Sequence, residues 1–246
     1  MPVLRWTPFF FVMNRLFASA PPRVSHGGLW KSCLIILLVG TATAGARQAS
    51  DAATLAERIQ QHYDNVRDFR ADFMHGYEGG VLRKRTVEYG TVAIRKPGRM
   101  RWVYTKPEEK TFVSDGLKLY SYIPSDKQVY VASVPQGDQA STPALFLAGK
   151  GNLVRDFAVA PATLKNSPAG TAAIRLTPRK PEREYEWLEL VVDERSLELR
   201  MLVTGDAQGG VSTIAFSKLR ENVNVPDKEF VFSIPRGVDV ITDASR

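Results

Sequence analysis

Short segments in which apolar and polar residues alternate dominate the sequence after residue 66, and they constrain its fold most strongly. A period of two is typical of a β-strand with one buried face. Turn-forming pairs such as Pro97-Gly98 and Asp115-Gly116 separate the segments. The pattern predicts strands at 69–77, 87–95, 99–104, 110–113, 118–123, 127–132, 156–160, 172–177, 185–192, 197–204 and 211–219. Short strands at this spacing indicate one antiparallel sheet that is strongly curved or barrel-like.

One helix is predicted before this pattern and another within it. The first is predicted over 51–66, where an apolar stripe is formed by Leu55, Ile59, Tyr63 and Val66. The second is predicted over 142–149, between the N-cap Thr142 and the terminating Gly149, and its interior is wholly apolar. A helix that is apolar all round must be enclosed. Since the chain has 246 residues, of which 44% are hydrophobic, it can form a substantial core, and we expect a single α+β domain.

The N-terminal residues have the order of a cleavable export signal. Lys31 precedes the apolar run 34–39, and small residues follow as far as Ala46. The run is much shorter than the ~20 residues that a membrane-spanning helix needs. Because Ala42-Thr43-Ala44 fits a cleavage site, we expect a signal peptide over 1–44, with cleavage possible as late as 46, and a mature domain over 45–246.

Removal of this leader changes what the charge implies. The whole chain has 33 basic and 26 acidic residues, a net charge of +7. The leader holds four of the basic residues and no acidic one, so the mature domain has a net charge of +3. This small excess does not indicate a nucleic-acid partner. The single cysteine, Cys33, also lies in the leader, which excludes a disulfide, a thiolate metal site and a cysteine nucleophile in the mature domain.

The mature domain offers little for catalysis. It holds two histidines, His62 and His75, and none of the common serine-hydrolase, zinc-protease or nucleotide-binding motifs. A histidine-rich metal site is therefore excluded, and a Ser-His-acid triad would need one of these two residues. We expect no enzyme activity, no metal and no cofactor. A periplasmic hydrolase that uses His62 or His75 with a carboxylate is the alternative among enzymes.

The segment RKPGRMRWVYTKP, residues 95–107, places basic residues among aromatic ones. As a strand, it has Met100, Trp102 and Tyr104 on one face and its central arginines on the other. A surface for stacking nucleic-acid bases needs aromatic and basic side chains on the same face, so the alternation argues against a nucleic-acid-binding surface here. Large rings with a flexible methionine suit the wall of an apolar cavity. On the following strands, the aromatic face is predicted to continue with Phe112 and Tyr120.

Several motifs in 95–131 occur in a fixed order: a basic pair before Pro97, then Trp102, Val-Ser-Asp-Gly at 113–116 and Tyr-Ile-Pro at 122–124. The C-terminal stretch 221–241, ENVNVPDKEFVFSIPRGVDVI, adds a second block. In both blocks the chain resembles the LolA family of periplasmic outer-membrane lipoprotein carriers, and the resemblance extends over essentially the whole mature domain.

The resemblance implies a highly curved, incomplete antiparallel β-barrel in which short lid helices close an apolar cavity. The acyl chains of lipoproteins would bind in that cavity. Its wall would be formed by Met100, Trp102, Tyr104, Phe112 and Tyr120, and its lid by Leu55, Ile59, Leu145, Phe146 and Leu147.

The resemblance also implies a latch. In the family, an arginine directly before the strand proline holds the lid; here Lys96 occupies that position and Arg95 precedes it. These two residues are the candidate latch. Lysine keeps the charge but lacks the planar fork of arginine, and Arg95 should point to the opposite face of the strand.

As partners, the resemblance implies acylated lipoproteins, an inner-membrane ABC-type transporter that releases them, and an outer-membrane acceptor lipoprotein. The protein would be a periplasmic monomer. Since no nucleotide-binding motif occurs, the energy for release would come from the transporter. A regulator of the cell envelope with the same fold, which senses lipid or lipoprotein, is the alternative.

Overall fold

The computed structural model describes residues 42–79, 84–134, 143–162 and 167–242. Its helices are α1 (Ala42–Asn65), α2 (Pro143–Leu147) and α3 (Leu153–Asp156). Its strands are β1 (Asp68–Gly79), β2 (Lys84–Arg95), β3 (Arg99–Lys106), β4 (Lys110–Asp115), β5 (Lys118–Ile123), β6 (Gln128–Ser133), β7 (Phe157–Pro161), β8 (Thr171–Pro178), β9 (Trp187–Asp193), β10 (Leu199–Gly205), β11 (Val211–Glu221) and β12 (Asp239–Thr242). Short 3₁₀ turns lie at Pro124–Asp126 and Asp227–Phe230.

All twelve strands belong to one sheet, in the order β12-β6-β5-β4-β3-β2-β1-β11-β10-β9-β8-β7. Neighbouring strands are antiparallel, except that β12 pairs with β6 in parallel. The predicted strands are all present. β12 was missed because its four residues are all exposed and show no alternation of burial. In the described part of the chain β12 and β7 form the two edges, so the sheet is an open barrel, as predicted.

The sheet curves strongly around its inner face. Trp102 lies on β3 and Phe216 on β11, three strands away in the sheet order. In a flat sheet, strands that far apart would be separated by about 14 Å. The two rings nevertheless lie with their centroids 6.4 Å apart. The curvature therefore brings side chains from distant strands into one core.

Helix α1 lies against this core. It packs on β7, β8 and α3, and its buried residues Ala52, Ala56 and Ile59 join the same apolar cluster as the inner face of the sheet. The helix begins at Ala42, before the predicted start at 51. The expected end of the signal peptide at 44 falls in its first turn, and residues 1–41 lie outside the described part of the chain. Among the described helices, none has the length and apolar character needed to cross a membrane.

A second, smaller apolar layer lies on the outer face. After β11 the chain crosses the outside of the sheet, where the 3₁₀ turn Asp227–Phe230 contacts β3 and β4. Phe230 is 2% exposed and packs with Val225 of the same segment and Ala93 of β2. The outer face of the central strands is thus partly covered by the C-terminal segment.

Candidate functional site

The inner face of the sheet carries a layer of buried aromatic side chains. Met100, Trp102 and Tyr104 lie along β3 with exposures of 4%, 0% and 1%. Phe112 of β4 is directly opposite Trp102 and is 1% exposed. The structure therefore brings these four predicted wall residues together on one face, and that face points into the core.

Two aromatic residues that sequence reasoning did not select complete this layer. Phe73 of β1 meets the rings of Trp102 and Tyr104 edge-on, with centroid distances of 5.1 and 4.9 Å. Such edge-to-face pairs contribute about 0.5–1.5 kcal/mol each beyond the burial of area. Phe216 of β11 is the second residue, and its ring contacts that of Trp102. The period-two pattern places both on the apolar faces of their strands, but only the fold shows that they meet β3.

Phe73 reaches β3 because β2, the strand between them, has a glycine at the crossing point. A Cβ atom on Gly90 would lie 2.1 Å from the carbonyl oxygen of Val103 and 2.7 Å from the ring of Phe73. No side chain larger than hydrogen fits there. Gly90 thus allows an aromatic ring to lie across a strand, and no local sequence signal distinguishes it from a turn glycine.

The prediction that Tyr120 lines the cavity is wrong. Phe112 pairs with Ser121, whereas Tyr120 pairs with Val113, so Tyr120 lies on the outer face of β5. There its ring stacks on Phe232 of the C-terminal segment, with centroids 5.4 Å apart. The error arose because the larger rings of β5 were assumed to face the core. They face a second apolar layer, which the C-terminal segment provides.

Helices α1 and α2 are the predicted lid helices. They meet at the end of the inner face near the β2–β3 turn, which is called the lid end below. In α2, Phe146 is 5% exposed and Leu147 is fully buried. The side chain of Leu145 and the predicted N-cap Thr142 lie outside the described residues. From α1, Ile59 is 5% exposed and Leu55 packs against the same cluster while partly buried. The predicted lid residues that the structure describes therefore contact the core.

Lys96 lies where the two helices meet the sheet. Its ammonium group donates a hydrogen bond to the carbonyl oxygen of Tyr63 in the last turn of α1 and lies 3.4 Å from the centroid of the Tyr63 ring. Burial lowers the pKa of Lys96 to about 8, although Asp64 and Glu221 favour its charged form. The adjacent turn is bound to the lid as well, because the Gly98 amide donates to the carbonyl of Ala148 at 2.8 Å.

Arg95 binds the C-terminal segment and not the part of the lid that the structure describes. Its guanidinium group donates to the carbonyl of Val225 at 2.9 Å and forms an ion pair with Asp227 at 3.0 Å. Its position on the outer face agrees with the strand alternation, but its inclusion in the latch is wrong. Arg99 and Arg101 also bind this segment, through Asp227 and the carbonyl of Glu229. The basic face of β3 therefore holds the acidic C-terminal turn.

At the end remote from the lid, beyond Tyr104, the inner face becomes polar. His75 is 3.1 Å from the hydroxyl of Tyr104 through Nδ1 and 2.8 Å from Ser212 Oγ through Nε2. The Lys110 ammonium group donates to Glu88 within the same buried cluster. Burial, with the charge of Lys110 as a second cause, lowers the pKa of His75 to about 4. Sequence reasoning named His75 but did not assemble this cluster.

The surroundings of His75 do not favour acid–base catalysis. Glu88 lies 3.7 Å from His75 Nδ1, too far for a hydrogen bond, and its carboxylate is paired with Lys110. An imidazole with so low a pKa is also a weak base. His62 lies near the surface, with Nε2 3.0 Å from a carboxylate oxygen of Glu221. Within the described ranges, no group of three or more His, Cys, Asp or Glu residues could hold a metal ion.

Comparison with known proteins gives consistent matches. Residues 64–233 match the sequence model of the family described as outer membrane lipoprotein carrier protein LolA. The outer-membrane lipoprotein carrier protein of Leptothrix cholodnii is 33% identical over 210 residues, which cover 84% of this chain and 92% of that protein. Its counterpart in Chromohalobacter salexigens is 31% identical over 209 residues, covering 84% and 96%. A solved LolA superfamily protein from Nitrosomonas europaea is 15% identical with a TM-score of 0.41, covering 72% of this chain and 97% of that one.

Proposed function

The chain belongs to the family of outer membrane lipoprotein carrier proteins, LolA, and we propose that it is a periplasmic carrier for lipoproteins. It takes acylated lipoproteins that an ABC-type transporter releases from the inner membrane. It shields their acyl chains from water and delivers them to an acceptor lipoprotein at the outer membrane. Export by the N-terminal signal peptide places it in the periplasm.

The observation that carries this proposal is the buried aromatic layer beneath the lid helices. Burying one methylene group is worth about 0.8 kcal/mol, so a lipoprotein with several acyl chains is held in a membrane by tens of kcal/mol, roughly. A carrier in water must replace that apolar environment. The inner face offers a large apolar surface that includes Met100 and Phe216. Phe146 and Leu147 cover this surface at the lid end. Movement of α2 would expose this surface to an acyl chain.

The alternatives are weaker on the same geometry. A hydrolase would need His75 or His62 as a base. His75 contacts the Ser212 hydroxyl, but it is buried, its pKa is lowered and Glu88 lies too far away to orient its ring. A regulator that senses envelope lipid would share the cavity. However, the named relatives that match most of the chain are lipoprotein carriers.

The test is native mass spectrometry of the protein purified from the periplasm. We expect the wild type to retain acylated lipoprotein and Trp102→Asp to lose it, because a charge would then lie in the acyl-chain site. The matched control is Val103→Asp, which puts the same charge on the other face of the same strand. Phe146→Asp tests the lid independently.

Circular dichroism establishes that each variant is folded, and only folded variants are compared. A wild-type protein that carries no acylated lipoprotein would contradict the proposal. So would a folded Trp102→Asp or Phe146→Asp variant that retains as much cargo as Val103→Asp.

A further inference from the structure

Tyr63 connects α1, α2 and the end of β2 at the lid end of the barrel. It lies in the last turn of α1, and its hydroxyl donates a hydrogen bond to the carbonyl oxygen of Leu147, the last residue of α2. Its ring stacks on that of Phe146, with centroids 5.8 Å apart and planes 16° apart. A single side chain therefore contacts the lid helix through both a polar and an apolar interaction.

The sheet holds Tyr63 from the other side. Lys96 donates to its carbonyl oxygen and covers its ring, as described above. The aliphatic part of Lys96 also packs against the end of α2, because a Cβ atom on Gly149 would lie 2.8 Å from it. Gly149 has φ +84°, a conformation that favours glycine and turns the chain directly after the helix. Lys96 and Tyr63 together thus link the end of β2 to α1 and α2.

We propose that Tyr63 is a positioning residue that sets how readily α2 opens, and that Lys96 controls α2 through Tyr63 rather than by a hydrogen bond from its ammonium group to the backbone of α2. This inference rests on the proposed carrier function, in which α2 must move to admit an acyl chain. Opening α2 breaks the hydroxyl bond to Leu147 and the stacking on Phe146, while Lys96 keeps Tyr63 in place for reclosure.

The ionisation of the two groups supports different roles. Burial, with Glu221 as a second cause, raises the pKa of the Tyr63 hydroxyl, so this group stays protonated and remains a donor. Lys96 faces Asp64 of α1 and Glu221 of β11, which is itself paired with His62. Because burial nevertheless lowers the pKa of Lys96, the closed state favours the neutral amine. Closure of α2, whose end packs against the Lys96 side chain, adds to this burial and should therefore strengthen as the pH rises through about 8.

The experiment is amide hydrogen exchange of the purified protein, expressed as protection factors so that the intrinsic effect of pH is removed. Ala148 and Gly149 are suitable reporters, since their amides donate to Ala144 and Phe146 within the lid at 3.0 and 2.9 Å. In Tyr63→Phe the ring remains and one hydrogen bond is lost. We expect roughly 3- to 10-fold lower protection at these two amides, the factor that corresponds to one net hydrogen bond.

Tyr122→Phe is the matched control, because Tyr122 lies on β5 and its ring contacts Phe232 instead of the lid. It should leave the lid amides unchanged. Unchanged protection in Tyr63→Phe would overturn the proposal. A uniform fall across lid and central strands would overturn it too, because that result indicates a loss of global stability.

The pH dependence of lid protection in Lys96→Arg distinguishes control of the lid by Lys96 from a purely structural role. Arginine stays charged throughout. Protection of the lid should rise between pH 7 and pH 9.5 in the wild type and stay level in Lys96→Arg. The same rise in both proteins would refute the part assigned to Lys96. These measurements need no cargo, so they can fail while the native mass spectrometry still finds bound lipoprotein, and the reverse can also occur.

Discussion

Acidification should destabilise this protein through His75. The imidazole is 2% exposed and lies between the hydroxyls of Tyr104 and Ser212. The charged groups that face it are Glu88 and Lys110, which are paired with each other. Protonation would therefore add a second buried cation beside a carboxylate that is already neutralised, and the folded state resists it.

The size of the effect follows from the pKa of His75, which is about 4 in the folded protein against 6.5 in an unfolded chain. Between these values the unfolded chain binds more protons than the folded protein, so the free energy of unfolding falls as the pH falls. The contribution is complete above pH 6.5. At 1.36 kcal/mol per pKa unit, roughly 3 kcal/mol should be lost by pH 4.

The assay is urea unfolding at pH 7 and pH 4 for the wild type and for His75→Gln. Other acidic groups also titrate in this range, so the informative quantity is the difference between the two proteins in their loss of stability. The wild type should lose roughly 3 kcal/mol more than His75→Gln. Equal losses in wild type and His75→Gln would show that His75 does not resist protonation.

Two further predictions concern the same inner face. Lys110→Met alone leaves the buried carboxylate of Glu88 unpaired, so it should lower the free energy of unfolding in urea by about 3–5 kcal/mol. Adding Glu88→Leu should recover most of that loss. A double variant no more stable than Lys110→Met would contradict this prediction. Gly90→Ala should cost at least about 1–3 kcal/mol by thermal or urea unfolding, because its methyl group would overlap the ring of Phe73. Gly76→Ala is its control, since the nearest atom to a Cβ there is 3.9 Å away, and equal costs for the two would disprove the close approach at position 90.

Much of the architecture follows from the sequence alone because strand alternation is a local property. The side chains of a strand point to opposite faces in turn, so Met100, Trp102 and Tyr104 had to share a face once 99–104 was a strand. The same rule separated them from Arg99 and Arg101 and excluded a stripe of mixed aromatic and basic groups. The turn residues between strands then predicted an antiparallel sheet, and the wholly apolar 143–148 predicted an enclosed helix.

Alternation cannot decide which of two faces is inside when both are partly apolar. Tyr120 alternates correctly with its neighbours, yet it lies under the C-terminal segment and not in the barrel. The deciding partner, Phe232, is more than a hundred residues away in the sequence. Arg95 shows the same limit, since its contacts with Val225 and Asp227 depend on where that segment crosses the sheet.

The contacts that decide the lid and the buried polar cluster are long-range. Tyr63 fits the apolar stripe of its helix, but its hydroxyl finds Leu147 only because α1 and α2 meet at the end of β2. His75, Glu88 and Lys110 come from three strands, and no spacing along the chain marks them as one buried cluster. The sequence therefore determined the strands other than β12, which side chains share a face within a strand, and the family. The tertiary structure decided which side chains meet, because strand curvature and the crossing of distant segments set those distances.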